Sequence, residues 1–541
     1  MKLSFQNLSK HTLSFFTLIV GATISINQIL FLPWPYNHEM ESFFRRTLIY
    51  ADHLKNYDFF PIWSGADNLN HGGPFPLFYH KLFYYFSGIF FNLLKSNQES
   101  IVVTIIAFLI IGSFFIYLLI FDITGSRYLG VFGGLLLIFS NYTHTNWFIR
   151  GAMAEFSAAM LFPFLLYIIY HFFSYKRYSF SLGLILGLLF LAHSSVAFYV
   201  YLVLAPVIIF FLFKNKLLKD FIKITLGFGI LIMPYVLLIN TFRKDFNLSN
   251  ILIYRPQDEL IPISKYLWDP EYVFGEPWDA YTVVLGNVIS LLIIVVLIYM
   301  MFVLENLNLV FSNYFTNYLI ISVVLYLTLQ LPIAMNFYLY FPGAQYLQFP
   351  WRLLSLIVPI LIILLVSKLG DIFNVKFLFA VVTIFLGVHL YFAPNFKSIS
   401  SPRLDTNNIK FDRATLWFSE NTGAYFPKGL MMPSTNSYDS KFLDAYQKGC
   451  TVKNHLINNN DISRSFKYNC TKNEEVVLPL IYSQFHQAEI VGNGTFQKFP
   501  VPISNKEGFI TISLPRGSGV LNVYHPTLLN SLRILIFRNT V

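Results

Sequence analysis

The chain has 541 residues, 55% of them hydrophobic and only 12% charged, with two cysteines and a formal net charge of +10. A soluble domain carries about 25% charged residues, so a single soluble core is excluded, and two cysteines exclude a disulfide-dense secreted scaffold. The positive balance does not point to nucleic acid. Lys and Arg gather in short loops and in the C-terminal tail, as the sidedness of a membrane protein requires.

The apolar runs predict spans at 12–32, 101–121, 128–141, 155–173, 179–193, 196–213, 221–240, 283–304, 316–332, 352–368 and 376–393. About 11 transmembrane helices of roughly 20 residues each fill this length. Lys2 and Lys10 flank the first run and Pro33-Trp34-Pro35 follows it without a small-residue cleavage site, which reads as a retained signal-anchor. The runs at 128–141 and 179–193 are short for a crossing and read as broken or tilted. Segment 76–94 is apolar, but His80 and Lys81 stand near its start. Reading it as re-entrant or interfacial keeps Lys176, Arg177, Lys214, Lys216 and Lys219 in the cytoplasm, in accord with the positive-inside rule. The fold class expected is therefore an all-α polytopic membrane domain over 1–394, N-terminus inside. Its outer segments are 34–100, 141–154, 241–282 and 333–351, and a small β-rich extracytoplasmic domain over 395–541 follows.

The outer segments hold the chemistry-bearing side chains. Asn37-His38-Glu39-Met40-Glu41 follows the first span. A carboxylate at the bilayer boundary is partly desolvated, which suits a general base within reach of a lipid-tailed substrate; the plainer reading is a solvated loop acid. Trp63 to Asp67 and His71-Gly72-Gly73-Pro74 to Tyr79-His80 form a compact Gly/Pro-fixed loop that either lines a sugar site or turns into an interfacial helix. Arg150 and Glu155 bracket small residues at the mouth of a span. Charges at that depth are costly and default to function, with a structural Arg–Glu pair as the alternative. Arg150 has the planar fork that suits phosphate. His193 interrupts two apolar runs, as a ligand contact or as a satisfied core residue. Arg352 ends the fourth outer loop beside Trp351, as a second phosphate ligand or an interface anchor. The loop 241–282 carries Asp258, Glu259, Asp269, Glu271, Glu276 and Asp279 with Trp268 and Trp278, a pattern that suits carbohydrate without specifying it.

The tail changes composition. Asn458-Asn459-Asn460 and Gly492-Asn493-Gly494 read as turns, and Phe509–Leu514 and Val520–Tyr524 as strands. Cys450 and Cys470 stand either as a disulfide or as two thiols. The run 528–537 is too short to span and is expected on the membrane surface. The sequence has no Walker A lysine motif, no His/Cys metal spacing and no serine nucleophile elbow.

Taken in order, several motifs resemble bacterial and archaeal membrane proteins of the 6-pyruvoyl-tetrahydropterin-synthase-related group, close to YfhO-like proteins, within the GT-C class of glycosyltransferases. They are Glu39, Trp63…Gly72-Gly73-Pro74…Phe78-Tyr79, Arg150-Gly151-Ala152-Met153-Ala154-Glu155, His193-Ser194, Gln348-Phe349-Pro350-Trp351-Arg352, Tyr425-Phe426-Pro427 and Leu478-Pro479-Leu480-Ile481-Tyr482. The resemblance covers most of the chain and does not imply pterin chemistry. It implies an inverting transfer of a sugar from a polyprenyl-phosphate carrier to an extracytoplasmic acceptor, a cell-envelope glycan, lipid or protein, at a prokaryotic cytoplasmic membrane. Glu39 would be the base, with Glu41 in reserve, since the family commonly has Asp there. Arg150 and Arg352 would bind the carrier phosphate, and Glu155 would orient Arg150. His38, Trp63, His71, Tyr79, His80 and His193 would contact substrate. The Gly-Tyr-Gly pattern typical of the family is missing around Gly72. No cofactor is implied, and a divalent metal is left open because carboxylates cluster only at 258–279. The competing reading is a transporter or flippase of lipid-linked sugar, which needs a polar path across the bilayer. A third is a non-catalytic envelope assembly factor.

Overall fold

A computed structural model of the chain describes residues 5–30, 34, 39–247, 255–260, 314–369, 426–427, 445–447, 449–454, 462–492, 498–506 and 508–537. The molecule is mostly helical, with a small β-rich C-terminal region. Among the described residues, five helices are long and apolar enough to cross a bilayer: Asn97–Thr124, Met153–Tyr175, Ser194–Lys214, Leu218–Phe242 and Pro350–Ser367. The helices Tyr314–Thr328 and Pro332–Tyr340, bent by 87°, make a sixth if counted as one broken span. The expected runs at 128–141 and 179–193 fold as shorter helices, Arg127–Ile138 and Ser179–Ala192. The first run becomes Phe5–Ser25 followed by Asn27–Leu30. Spans expected at 283–304 and 376–393, and the domain boundary near 394, lie outside the described residues.

Segment 76–94 forms the helix Leu82–Leu94, 13 residues long. At 1.5 Å per residue it reaches roughly 20 Å, short of the roughly 30 Å hydrocarbon thickness. Ahead of it lies a helix, Met40–Lys55, that packs on Leu82–Leu94. Local signals set the ends of the long helix Asn97–Thr124. The Ser96 side chain accepts the Glu99 N–H, and Gly125 closes the other end. The helix Leu218–Phe242 leaves Ile222, Leu226, Ile230, Met233 and Leu237 exposed as one stripe. Apolar side chains at this spacing would be a liability in water and are matched by lipid tails.

Two helices approach more closely than ordinary side chains allow. A Cβ on Gly183 would lie 2.1 Å from the Ile224 carbonyl oxygen, and one on Gly227 would lie 2.4 Å from the Phe180 carbonyl oxygen. Gly183 and Gly187 form the small-xxx-small pattern that brings helix backbones together in membranes. Because the obstructing atoms are backbone, Gly183→Val is expected to push the helices apart at a cost of about 1–3 kcal/mol. Thermal shift of the purified protein in detergent measures this. Gly229→Ala, at a position with nothing within 4 Å, serves as the neutral comparison.

The C-terminal region holds two antiparallel sheets sharing one apolar core. In the six-stranded sheet, Gly517–Tyr524 lies between Ser463–Cys470 and Gln487–Gly492. Lys498–Val501 extends one edge, and Cys450–Asn454 and Ala445–Gln447 the other. In the three-stranded sheet, Phe509–Leu514 lies between Glu474–Ile481 and Ile503–Lys506. Alternation sends Val452, Phe466, Leu521 and Val523 from one sheet, and Leu478, Leu480, Ile510 and Ile512 from the other, into the shared core. Cys450 and Cys470 face each other across neighbouring strands and form a disulfide. The turn expected at Asn458 to Asn460 lies outside the described residues, as does most of that at Gly492 to Gly494.

This β domain sits on the stretch expected as the first outer segment. The His71 Nδ1 bonds to the Pro479 carbonyl at 2.6 Å, and the Ile481 N–H donates to the His71 carbonyl at 2.8 Å. Arg464, buried, donates from Nη2 to the Gly65 carbonyl at 2.6 Å. Ile62, Trp63, Leu238, Phe242, Phe485 and Leu528 form an apolar seat between the two parts. The helix Leu528–Phe537 inserts Leu528 there and leaves Leu529 and Ile536 exposed.

Candidate functional site

Glu155 opens the helix Met153–Tyr175 and is 1% exposed. Its Oε2 accepts from Arg150 Nη2 at 3.0 Å and lies 3.3 Å from Arg352 Nε. Its Oε1 accepts from the Tyr142 hydroxyl at 2.6 Å and from Ser355 Oγ at 3.0 Å. One buried carboxylate thus ties the stretch Tyr142 to Glu155 to the stretch Arg352 to Ser355, with Ser355 200 residues on from Glu155. Local backbone makes this arrangement. The chain widens into a π turn at Thr145–Ile149, and Gly151, at φ +68°, reverses it so that Arg150 faces Glu155. Arg150 also donates to Asn146 Oδ1 and lies with its guanidinium 4.2 Å over the Trp351 ring. Across the site Gln348, a non-glycine residue at φ +57°, turns the chain into Phe349 to Arg352, and Arg352 lies over the Phe349 ring.

Glu39 precedes the helix Met40–Lys55 as its N-cap residue. Seven residues on, Arg46 is buried and reaches back, Nη1 to Glu39 Oε2 at 3.5 Å. The same nitrogen donates to the hydroxyls of Tyr79 at 2.7 Å and Tyr84 at 3.2 Å. The Glu39 side chain is 37% exposed, against 1% for Glu155. Of these two carboxylates, Glu39 is the one that can meet an incoming molecule. Glu39 and Arg150 share one electrostatic neighbourhood. Burial disfavours the Arg150 charge, but Glu155, then Tyr142 and then Glu39 outweigh it and raise the pKa of the guanidinium.

His80 and His193 stack with ring centroids 4.0 Å apart. His80 Nδ1 accepts the Ser194 N–H at 3.2 Å, and His193 Nδ1 accepts the Val196 N–H at 3.3 Å, capping the helix Ser194–Lys214. Burial first, then His193, Arg352, Lys81 and Arg46, hold His80 well below the ordinary imidazole value. Burial first, then Arg352 and Arg150, do the same to His193. Lys81, buried beneath them, donates to the Pro76 and Leu77 carbonyls and faces the Tyr235 ring at 4.0 Å. Burial pushes its pKa down to about 7.

The structure therefore gathers Glu39, Tyr79, His80, Arg150, Glu155, His193 and Arg352 into linked contacts. Trp63 and His71, expected on substrate, lie on the β-domain seat. Trp63 packs on Phe242, His486 and His525, and His71 holds Pro479 and Ile481. Glu155 does more than orient Arg150, since it pairs with Arg352 as well. His38 lies outside the described residues, and Glu41 is placed on the first turn of Met40–Lys55. Arg46, Tyr84, Tyr142 and Ser355 were missed by sequence reasoning. For Arg46 a signal existed, because positions 39 and 46 are two helical turns apart on one face. Among the described residues no group of three or more His, Cys, Asp or Glu side chains is placed to hold a metal ion. Of the six acidic residues named for the loop 241–282, Asp258 and Glu259 are described, in the turn Pro256–Glu259, and Asp269, Glu271, Glu276 and Asp279 lie outside the described residues.

No family model matches the chain, and comparison with curated proteins and with solved structures returns no match either.

Proposed function

We propose that the protein is a membrane glycosyltransferase of the GT-C kind. It would move a sugar from a polyprenyl-phosphate carrier to an extracytoplasmic acceptor at the outer boundary of a prokaryotic cytoplasmic membrane. The observation that carries this reading is the accessible Glu39 carboxylate, paired with Arg46 and within electrostatic reach of Arg150, while the second carboxylate, Glu155, is buried and consumed in holding Arg150 and Arg352. Three cations against two carboxylates leave one positive charge in excess, which suits a phosphate. The motif order resembling GT-C enzymes supports the same reading. The Cys450–Cys470 disulfide supports an oxidising, outward compartment for the β domain.

In the proposed reaction the acceptor hydroxyl oxygen attacks the anomeric carbon and its proton passes to Glu39. The bond from that carbon to the phosphate oxygen breaks, and its electron pair leaves on the carrier. Inversion follows from the single displacement. Arg150 and Arg352 stabilise the charge that develops on the leaving phosphate. On the β domain a cleft of about 470 Å³, lined by Tyr482, Gln487, Glu489 and Tyr524, offers aromatic and polar side chains to an acceptor. This volume falls within the usual range of small-molecule sites, about 300–1,000 Å³.

The test is transfer from lipid-linked sugar by Glu39→Gln, which keeps the shape and removes the base. The expected loss in kcat is about 10²–10⁴-fold, with thermal stability unchanged. Full activity in this variant would remove Glu39 from the role. A lipid-linked sugar that crosses vesicles without any transfer would favour the transporter reading.

A further inference from the structure

The stacked imidazoles of His80 and His193 do not have the freedom of ordinary histidines. Each Nδ1 accepts a backbone N–H, from Ser194 and from Val196 respectively. A nitrogen that accepts carries no proton, so in each neutral ring the proton is on Nε2. Protonating either ring at Nδ1 would point two hydrogens at each other and uncap the helix Ser194–Lys214. The backbone therefore selects both tautomer and charge state. Fixed in this way, neither ring can take a proton, and each can give a hydrogen bond in one direction only. The neighbouring charges named above, Arg352, Arg150, Lys81 and Arg46, are all cations, so nothing among them favours imidazolium.

We propose that His80 and His193 act as a paired Nε2–H donor site for a phosphoryl group. Two neutral donors from the stacked rings would take phosphate oxygens beside the guanidinium of Arg352, and neither ring would serve as a general acid or base. This rests on the phosphate-carrier reading above and assigns these two residues to its leaving group. The ligand chemistry is a phosphate monoester or diester, supplied either on a lipid or free in solution.

The test uses the full-length protein, ¹⁵N-labelled at histidine, in nanodiscs. The ring nitrogen resonances of His80 and His193, assigned by His80→Asn and His193→Asn, are expected to report Nε2–H tautomers from pH 5.5 to pH 8. Dodecyl phosphate is expected to shift both Nε2–H signals; a matching response to inorganic phosphate would make the source soluble rather than lipid. His193→Asn retains a side-chain oxygen to cap the helix but loses the ring donor. It is expected to weaken dodecyl phosphate binding about tenfold, the size of one charge-assisted hydrogen bond, with melting temperature unchanged. An Nδ1–H tautomer, an imidazolium in this pH range, or signals indifferent to both phosphates would overturn the donor assignment. The two readings fail separately. Loss of transfer in Glu39→Gln together with phosphate-blind histidines would leave the transferase standing without this site. Phosphate-responsive histidines in a parent protein that transfers no sugar from the lipid carrier would do the reverse.

Discussion

Glu155→Ala is expected to lower stability by about 3–5 kcal/mol, the usual consequence of removing one partner from a buried ion pair. The carboxylate accepts three hydrogen bonds, from Arg150, Tyr142 and Ser355, and forms a second ion pair with Arg352. Without it two guanidiniums face each other with no counter-charge, and the Tyr142 hydroxyl loses its acceptor. Glu155→Gln keeps an acceptor oxygen for Tyr142 and Ser355 but not the charge, so its loss is expected to be smaller than that of Ala. Denaturant titration in mixed micelles measures both. If both variants stay within about 0.5 kcal/mol of the parent, as substitutions away from buried networks do, the network does not hold these segments together. Phosphate binding should fall in step with stability, because the same carboxylate aims both arginines.

Acidification from pH 7 to pH 5 is expected to loosen the β domain from its seat by about 2 kcal/mol through His486 alone. Burial pushes this imidazole down to about 3, partly opposed by the Ser483 backbone. In the folded protein it stays neutral throughout this range, whereas the unfolded side chain takes a proton below about 6.5. The unfolded state therefore binds more protons, and stability is full above that value and declines as pH falls toward about 3. His71, held below its ordinary value by burial and by Arg464 against the pull of the Pro479 carbonyl, contributes with the same sign. Limited proteolysis across this pH range reads the release. His486→Gln retains an acceptor for the Ser483 N–H, which the parent ring accepts at 3.1 Å, but cannot titrate. It should flatten the response, and an equally steep decline in this variant would assign the effect elsewhere.

Of the eleven expected spans, five, or six with the bent pair, are described as helices long and apolar enough to cross, because a long apolar run without charge settles readily into one helix. The pairing of Arg150 with Glu155 was foreshadowed because charges at the edges of such runs are too costly to be idle, whereas the link from Glu155 to Arg352 was not. Met40–Lys55 was not foreseen as a helix, since Arg45, Arg46 and His53 disguise its buried face as an ordinary polar loop. Ser355 was invisible for a different reason. It lies in an apolar run 200 residues from the Glu155 oxygen it serves, and no local pattern encodes so distant a partner. Trp63 and His71 show the limit most clearly. Residue type suggested a ligand site, but the groups they bind belong to the chain's own far end. In the β domain Phe509–Leu514 was read with its observed bounds and Val520–Tyr524 as the later part of Gly517–Tyr524, because alternation is a short-range property.

The bond between His71 and Pro479 joins positions 408 residues apart, and this separation sets an order of events during synthesis. The loop that seats Trp63 is made long before the strands that cover it. Until then Ile62 and Trp63 have Leu238 and Phe242 beside them but lack Phe485 and Leu528. A ribosome that stalls before the final strands would therefore leave behind a membrane-inserted but uncapped intermediate, recognisable to quality-control proteases by that one bare aromatic platform.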